Sequence, residues 1–218
     1  MSIEYGKLIE NACIIIASLT AIYGINTWRR ELRGKKEHDL AEEVLSLIYE
    51  CRDRLRAIRS PFATSEEGKS RKVSPDEIPE EAEILNRAYI AFERYKANQE
   101  PFNRLFVVRY RFMALFGKDK AQPIEDLRLA LNNVFISAQM LPSYWRRQGR
   151  PFRDDESFKH HLEEMHKHEA IFWGTFSDQD EFDKRVNSIV DRMDTVCASI
   201  LRPVPLRKRA WLRFRKGK

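Results

Sequence analysis

An uncharged stretch followed directly by a cluster of cations constrains this chain more than any other feature of its sequence. Residues 11–28 contain no Asp, Glu, Lys or Arg, and a helix of that length extends about 27 Å, close to the hydrocarbon thickness of a bilayer. Aromatic residues near its end suit the membrane interface. The stretch predicts one transmembrane helix, anchored by Ile14, Ile15, Ile16, Leu19, Ile22, Tyr23 and Trp28.

The flanking charges predict how this helix is oriented. The cations that follow it are Arg29, Arg30, Arg33, Lys35 and Lys36, whereas Lys7 alone precedes it. A cleaved signal peptide has the reverse order, with positive charge before the apolar run. The positive-inside rule therefore places the N-terminus outside and the bulk of the chain in the cytoplasm. The alternative is a buried core helix of a soluble bundle.

The rest of the chain predicts an all-α fold. Only 8 Gly and 9 Pro occur in 218 residues, and apolar residues recur at three- and four-residue spacing. We therefore expect three parts: the anchor with its basic flank in residues 1–36, an antiparallel cytoplasmic bundle of five or six helices in residues 37–201, and a basic amphipathic tail in residues 202–218.

The helix count depends on residues 80–117. Pro101 favours two helices there, with Asn98 as a cap, which gives six helices and returns the tail to the membrane. One continuous helix would give five, and simple alternation would then leave the tail at the far end of the bundle. Residues 62–79 are predicted to be an exposed, mobile loop, because they combine Ser, Gly, Pro and mixed charges without periodicity.

The tail carries eight cations and no acid in residues 202–218. With the basic flank it predicts contact with anionic lipid; nucleic acid and a solvated tail remain the alternatives. The tail residues assigned to lipid binding are Arg207, Lys208, Arg209, Trp211, Arg213, Phe214 and Arg215.

Potential metal and thiol chemistry is weakly indicated. The Glu-x-x-His spacing of Glu163 and His166 occurs once, whereas di-iron bundles use it twice, so the His-rich run His160, His161, His166 and His168 is interpreted as a solvated face. The three cysteines lack a CxxC spacing and are interpreted as reduced, buried thiols. We expect no metal and no cofactor.

An enzymatic role has one candidate motif. Arg33 and His38 form an R-x4-H pattern like that of helical HEPN ribonucleases, but a charged membrane flank explains both residues without catalysis. Nucleotide-binding and common hydrolase motifs are missing from the sequence. We expect no catalytic residue.

Three runs, WRRELRGKKEHDLAEEVLSLIYECRDRLRAIRSPF, RYRFMALFGKD and YWRRQGR, resemble bacterial proteins with one N-terminal membrane segment ahead of a helical cytoplasmic region. The likeness extends to about Leu201 and implies an inner-membrane location without implying an activity. The expected function is a non-enzymatic, membrane-anchored module for protein interaction or self-assembly. A membrane-perturbing defence or stress effector and a membrane-tethered nucleic-acid binder or HEPN-like ribonuclease are the alternatives.

Overall fold

Helices are the regular elements of the chain. The computed structural model describes residues 2–175, 177 and 179–202, with the backbone alone for residues 2–12. Within these residues there are five α-helices and no strand, so the predicted all-α class is confirmed for this part of the chain. The helices are α1 Ser2–Ile58, α2 Pro79–Phe116, α3 Lys118–Arg147, α4 Asp155–Phe172 and α5 Glu181–Leu201.

Helix α1 is continuous from the uncharged stretch into the bundle. Its 57 residues correspond to about 86 Å, and Gly34 lies within it without ending it. From residue 40 onward the helix buries one face, as the three- and four-residue spacing predicts. The buried residues predicted on this face are Leu40, Val44, Leu47, Ile48, Cys51, Leu55 and Ile58.

The expected break at Pro101 is absent, and the prediction of six helices is wrong. Pro101 lies inside α2, although it has no N–H to donate to the carbonyl four residues earlier. Burial of Pro101 and Phe102 in the core outweighs this lost hydrogen bond. Asn98 does not cap a helix; its side-chain amide donates to the Arg94 carbonyl at 2.8 Å.

Helices α1 and α2 run antiparallel. Arg54 near the end of α1 donates to Asn98 near the middle of α2 at 3.3 Å. Toward the other end, Arg111 of α2 lies 3.7 Å from Glu43 of α1. The C-terminus of α2 therefore returns to the level at which α1 enters the bundle.

Helix α5 also runs antiparallel to α1. Arg56 donates to Asp183 in the first turn of α5 at 2.9 Å, and Tyr49 donates to Asp194 further along at 2.9 Å. The last turn of α5 thus approaches the point where α1 enters the bundle. Arg202, where the predicted tail begins, therefore follows α5 at the proximal end and not at the far end that simple alternation of five helices would give.

The physical reason is the direction of α4, which crosses α3 instead of running alongside it. Ser137 and Trp145 are eight residues apart on α3, yet they contact the neighbouring residues His168 at 3.1 Å and Glu169 at 2.8 Å. Both ends of α4 therefore stay near the C-terminal half of α3. Because α4 does not traverse the length of the bundle, it does not reverse the direction of α5.

The bundle consequently has two distinct ends. We call the end that contains Gly34, Gly117 and Leu201 the proximal end, since α1 enters there. The opposite, distal end contains the connecting segments 59–78, 148–154 and 173–180.

A buried arginine of α2 fastens part of the largely exposed segment 59–78, which contains most of the predicted loop of residues 62–79. The Arg94 guanidinium donates to the carbonyls of Ser60 and Phe62, each at 2.6 Å. It also pairs with Glu67 at 2.8 Å. A guanidinium with its donors engaged in this way fixes the path of the segment.

Gly68 lets the same segment approach α2. Its φ is +84°, and an added Cβ would lie 2.0 Å from the Asn86 carbonyl oxygen. We expect Gly68→Ala to lower the free energy of unfolding by about 3 kcal/mol, because it combines backbone strain with a clash against a helix backbone. Thermal unfolding of the full-length chain in a mild detergent measures this loss.

Gly149→Ala is the matched control, since Gly149 also has φ +84° but open space around its Cβ position. It should cost about 1 kcal/mol, the backbone strain alone. Equal losses for the two variants would show that the close approach at Asn86 does not limit stability.

Candidate functional site

The first candidate site is the part of α1 that stands clear of the bundle. We call residues 13–28 the apolar arm. Its large side chains are exposed, with Ile14, Ile16 and Tyr23 at 58%, 64% and 74%. The same holds for Ile15, Leu19, Ile22 and Trp28. The alternative that these residues pack inside the chain's own bundle is therefore wrong.

The apolar side chains surround the arm instead of forming a stripe. Ile14, Ile15 and Ile16 are consecutive, so they project about 100° apart around the helix axis. A helix that is hydrophobic all round is characteristic of a protein core or of a bilayer. In this structure the bundle supplies no core around it.

The hydroxyl groups of the arm are satisfied within the helix. Ser18 and Thr20 donate to the carbonyls of Ile14 and Ile16, each at 2.8 Å. Thr27 donates to the Tyr23 carbonyl at 3.0 Å. Such bonds to the preceding turn remove the need for water around these side chains.

Within the described part of the chain, no helix is both long enough and apolar enough to cross a membrane.

A basic collar follows the arm; we use this name for Arg29, Arg30, Arg33, Lys35 and Lys36. All five side chains are exposed. Within the described part of the chain they form one ion pair, Arg33 Nε to Glu37 Oε1 at 2.8 Å. The collar therefore presents mostly uncompensated positive charge at the proximal end.

The proximal end also brings the start of the tail beside the collar. A cavity of about 880 Å³ opens there between α1, the α2–α3 turn and the end of α5. It is lined by Gly34, Glu37, His38, Leu115, Phe116, Lys120, Ser199, Ile200 and Leu201. Residues 203–218, including the predicted lipid-binding residues from Arg207 to Arg215, lie outside the described residues.

At the distal end, a buried arginine joins α1 to the segment before α5. Arg59 is 1% exposed and donates to the carbonyls of Ile171 at 2.7 Å and Ala170 at 2.8 Å. It pairs with Asp180 at 3.2 Å and lies over the Phe182 ring, 4.1 Å from its centroid. These contacts, which we call the Arg59 network, are structural.

Asp180 contributes to the same network and caps α5. Burial alone would raise the pKa of Asp180, but amide donors from Asp183 and Thr175 and the Arg59 charge hold that pKa below its ordinary value. The capping carboxylate belongs to Asp180, which accepts from Asp183 N at 2.9 Å.

The histidine run is not wholly a solvated face. His160 and His166 are exposed, but His161 is buried between Tyr144 and Phe152, with ring centroids 5.6 and 4.9 Å away. Burial, and secondarily the charge of Arg147, lower the pKa of His161. Its interpretation as a surface histidine is wrong.

The cysteines divide into two environments. Cys51 and Cys197 are buried, and burial raises the pKa of the Cys197 thiol to about 12, so it stays protonated and unreactive. Cys13 is exposed on the apolar arm, and its prediction as a buried thiol is wrong.

The residues of the R-x4-H pattern have separate surroundings. The Arg33 guanidinium pairs with Glu37, whereas His38 lines the proximal cavity. Five residues apart on a continuous helix, they project about 140° from each other.

No trio of His, Cys, Asp or Glu in the described residues is arranged to hold a metal ion. Comparison with family models, curated proteins and solved structures gives no match for this chain.

The buried arginines are the residues that sequence analysis missed. Arg59 stands four residues after Leu55 and directly before Ser60-Pro61, so it continues the buried face of α1 at the point where the helix ends. The sequence signal was a charged residue at a position where the helical spacing of α1 places a buried apolar side chain. Its partners, carbonyls more than a hundred residues away, carry no sequence signal.

Proposed function

We propose that this protein is a non-enzymatic, single-pass membrane protein whose helical bundle serves as an assembly module at the cytoplasmic leaflet of a bacterial inner membrane. The observation that carries the proposal is the apolar arm, which is hydrophobic all round and stands clear of the bundle. Water is an unfavourable surrounding for such a helix, whereas a hydrocarbon layer suits it.

Two features of α1 support this placement. The hydroxyl groups of Ser18, Thr20 and Thr27 are satisfied within the helix, as a lipid environment requires. The uncharged stretch begins at Asn11, before the arm, so its length of about 27 Å matches a hydrocarbon core. The collar on its bundle side then favours a cytoplasmic bundle.

Self-association is the kind of assembly that the arm favours. Ala17, Ala21 and Gly24 fall on one side of α1 at three- and four-residue spacing. Nothing lies within 4 Å of the Cβ position of Gly24. In a bilayer, small residues at this spacing permit two helices to approach closely.

The interior of the bundle supports a binding role over a catalytic one. The buried charged groups Arg59, Arg94 and Asp180 have their donors and acceptors engaged in holding segments together. Groups committed to structural contacts are not free to bind or activate a substrate.

Vesicle flotation and mass measurement test the proposal together. The full-length chain should float with lipid vesicles, stay with them at high salt, and give a mass above one protomer after solubilisation in mild detergent. A chain that remains dissolved without detergent contradicts the anchor, and a purely monomeric particle without a bound partner contradicts the assembly role. Replacing residues 11–28 by an unrelated apolar span should preserve flotation.

A further inference from the structure

The α2–α3 turn, which lines one side of the proximal cavity, also presents side chains to the outside of the bundle. Gly117 separates the two helices, and Leu115, Lys118 and Lys120 around it are exposed. Lys118 and Lys120 form no ion pair with any described acidic residue, and Lys120 lies 5.9 Å from the Phe116 ring centroid. The turn thus presents two cations, one acid (Asp119) and an apolar side chain on the surface.

The continuity of α1 sets the distance of this turn from the arm. Glu37 and His38 of α1 line the same cavity as Leu115 and Phe116, so the turn lies at about their level. From Trp28 to that level the helix rises about 15 Å at 1.5 Å per residue. Since the helix is unbroken, no flexible linker separates the apolar arm from the bundle.

This distance brings the turn within electrostatic range of the headgroups. The polar layer on each side of a bilayer is roughly 5–7 Å thick, so the turn lies about 8–10 Å below it when Trp28 marks the hydrocarbon boundary. That gap is close to the Debye length of about 8 Å at physiological ionic strength. Extended lysine stems, or a modest tilt of α1 toward the turn, shorten it.

The difference in charge between the two ends of the bundle also favours contact of the proximal end with the membrane. Residues 29–38, 115–120 and 202 contain eight cations and three acids, whereas the distal segments 59–78, 148–154 and 173–180 contain six cations and seven acids. The bundle is therefore positive at the proximal end and nearly neutral at the other. A negatively charged leaflet matches the proximal end alone.

We propose that the α2–α3 turn docks on anionic lipid headgroups through Lys118 and Lys120, and so fixes the bundle against the leaflet. The proposal rests on the membrane anchoring proposed above. It adds a third lipid contact, from the folded bundle itself, to those predicted for the collar and the tail.

A fluorophore at position 118 tests the docking. The full-length Cys13→Ser chain with Lys118→Cys, labelled with an environment-sensitive dye, is placed in nanodiscs of phosphatidylcholine with or without phosphatidylglycerol. Lys120 remains as the cation of the turn. Headgroup-bound quenchers should quench the dye strongly, and more so with phosphatidylglycerol. The same label at Arg150→Cys, on the distal end, should be quenched little.

Removing the positive charges of the turn is the second part of the test. With the dye at Leu115→Cys, the pair Lys118→Gln and Lys120→Gln should lower the docked-to-undocked ratio roughly 25-fold, about fivefold per lysine from about 1 kcal/mol each. The matched pair Arg150→Gln and Arg153→Gln should leave it unchanged.

The outcomes separate the two proposals. If the chain enters the nanodiscs but the dye at position 118 behaves like the dye at position 150, the docking is overturned while the anchor stands. If the chain does not enter the nanodiscs, the anchoring itself has failed.

Discussion

Lysine at positions 19 and 22 should abolish stable association of this protein with bilayers. Leu19 and Ile22 lie near the middle of residues 11–28 and are exposed on the apolar arm. A lysine at the centre of a membrane helix costs about 2.5–3.5 kcal/mol, so two should cost about 5 kcal/mol or more. This lowers the partition into vesicles by roughly three to four powers of ten, as measured by flotation.

Leu129→Lys with Ile136→Lys is the control for this pair. Both residues are 43% exposed on α3, so the variant adds the same charge without touching the arm. It should float like the unmodified chain. Equal flotation of the arm variant and the unmodified chain would mean that the arm does not enter the hydrocarbon.

Arg59→Met should produce the largest loss of bundle stability among single substitutions of exposed or buried charges. It leaves Asp180 buried without its cation and removes the donors to three carbonyls, those of Ala170, Ile171 and Trp173. Breaking a buried pair in this way costs about 3–5 kcal/mol. For a chain of this size the Tm should fall by about 6–20 °C, measured on the full-length chain in mild detergent.

Arg54→Met is the matched control for Arg59→Met. Its pair with Glu50, at 3.5 Å, is exposed on both sides, so its loss should cost about 1 kcal/mol or less. A comparable Tm for the two variants would show that the Arg59 network does not hold α1 to α5.

The same network predicts how stability depends on pH. Because the pKa of Asp180 is depressed in the folded state, its contribution to stability is fully present above its unfolded pKa of about 3.9. That contribution is lost as the pH falls through the depressed folded value. Arg59→Met removes the cation that helps to depress this pKa, so its Tm should fall less steeply on acidification than that of the unmodified chain.

Local patterns predicted most of the bundle correctly. The buried face of α1 from Leu40 to Ile58 and that of α5 from Phe182 to Cys197 match the observed burial, because amphipathic periodicity is a local property. The cap of α4 is equally local, since Asp154 accepts from Ser157 N, three residues later, at 2.7 Å.

The errors arose where tertiary packing decides the outcome. Pro101 weakens a helix locally, yet burial of Phe102 carries α2 through it. Neither the long-range partners of Arg59 nor the crossing of α4 over α3 leaves a pattern in neighbouring residues.

The sequence predicted which residues form the arm and the collar, but not which other segments lie beside them. The collar and the arm are continuous in sequence, and their residues were identified as such. The proximity of Leu201 and Lys120 to His38 depends on the path of four helices. The position of the α2–α3 turn at the proximal end could therefore not be predicted from the sequence.

The unbroken course of α1 makes the bundle a rigid extension of the apolar arm. A membrane helix tilts by about 20° on average, and more where the bilayer is thin relative to its apolar length. Ile58 lies about 36 Å along the axis from Gly34, so a 20° tilt in the proposed placement swings the distal end sideways by about 12 Å. In that placement, bilayer thickness would set how far the distal end is displaced sideways, because a small tilt of α1 moves the far end of the helix most.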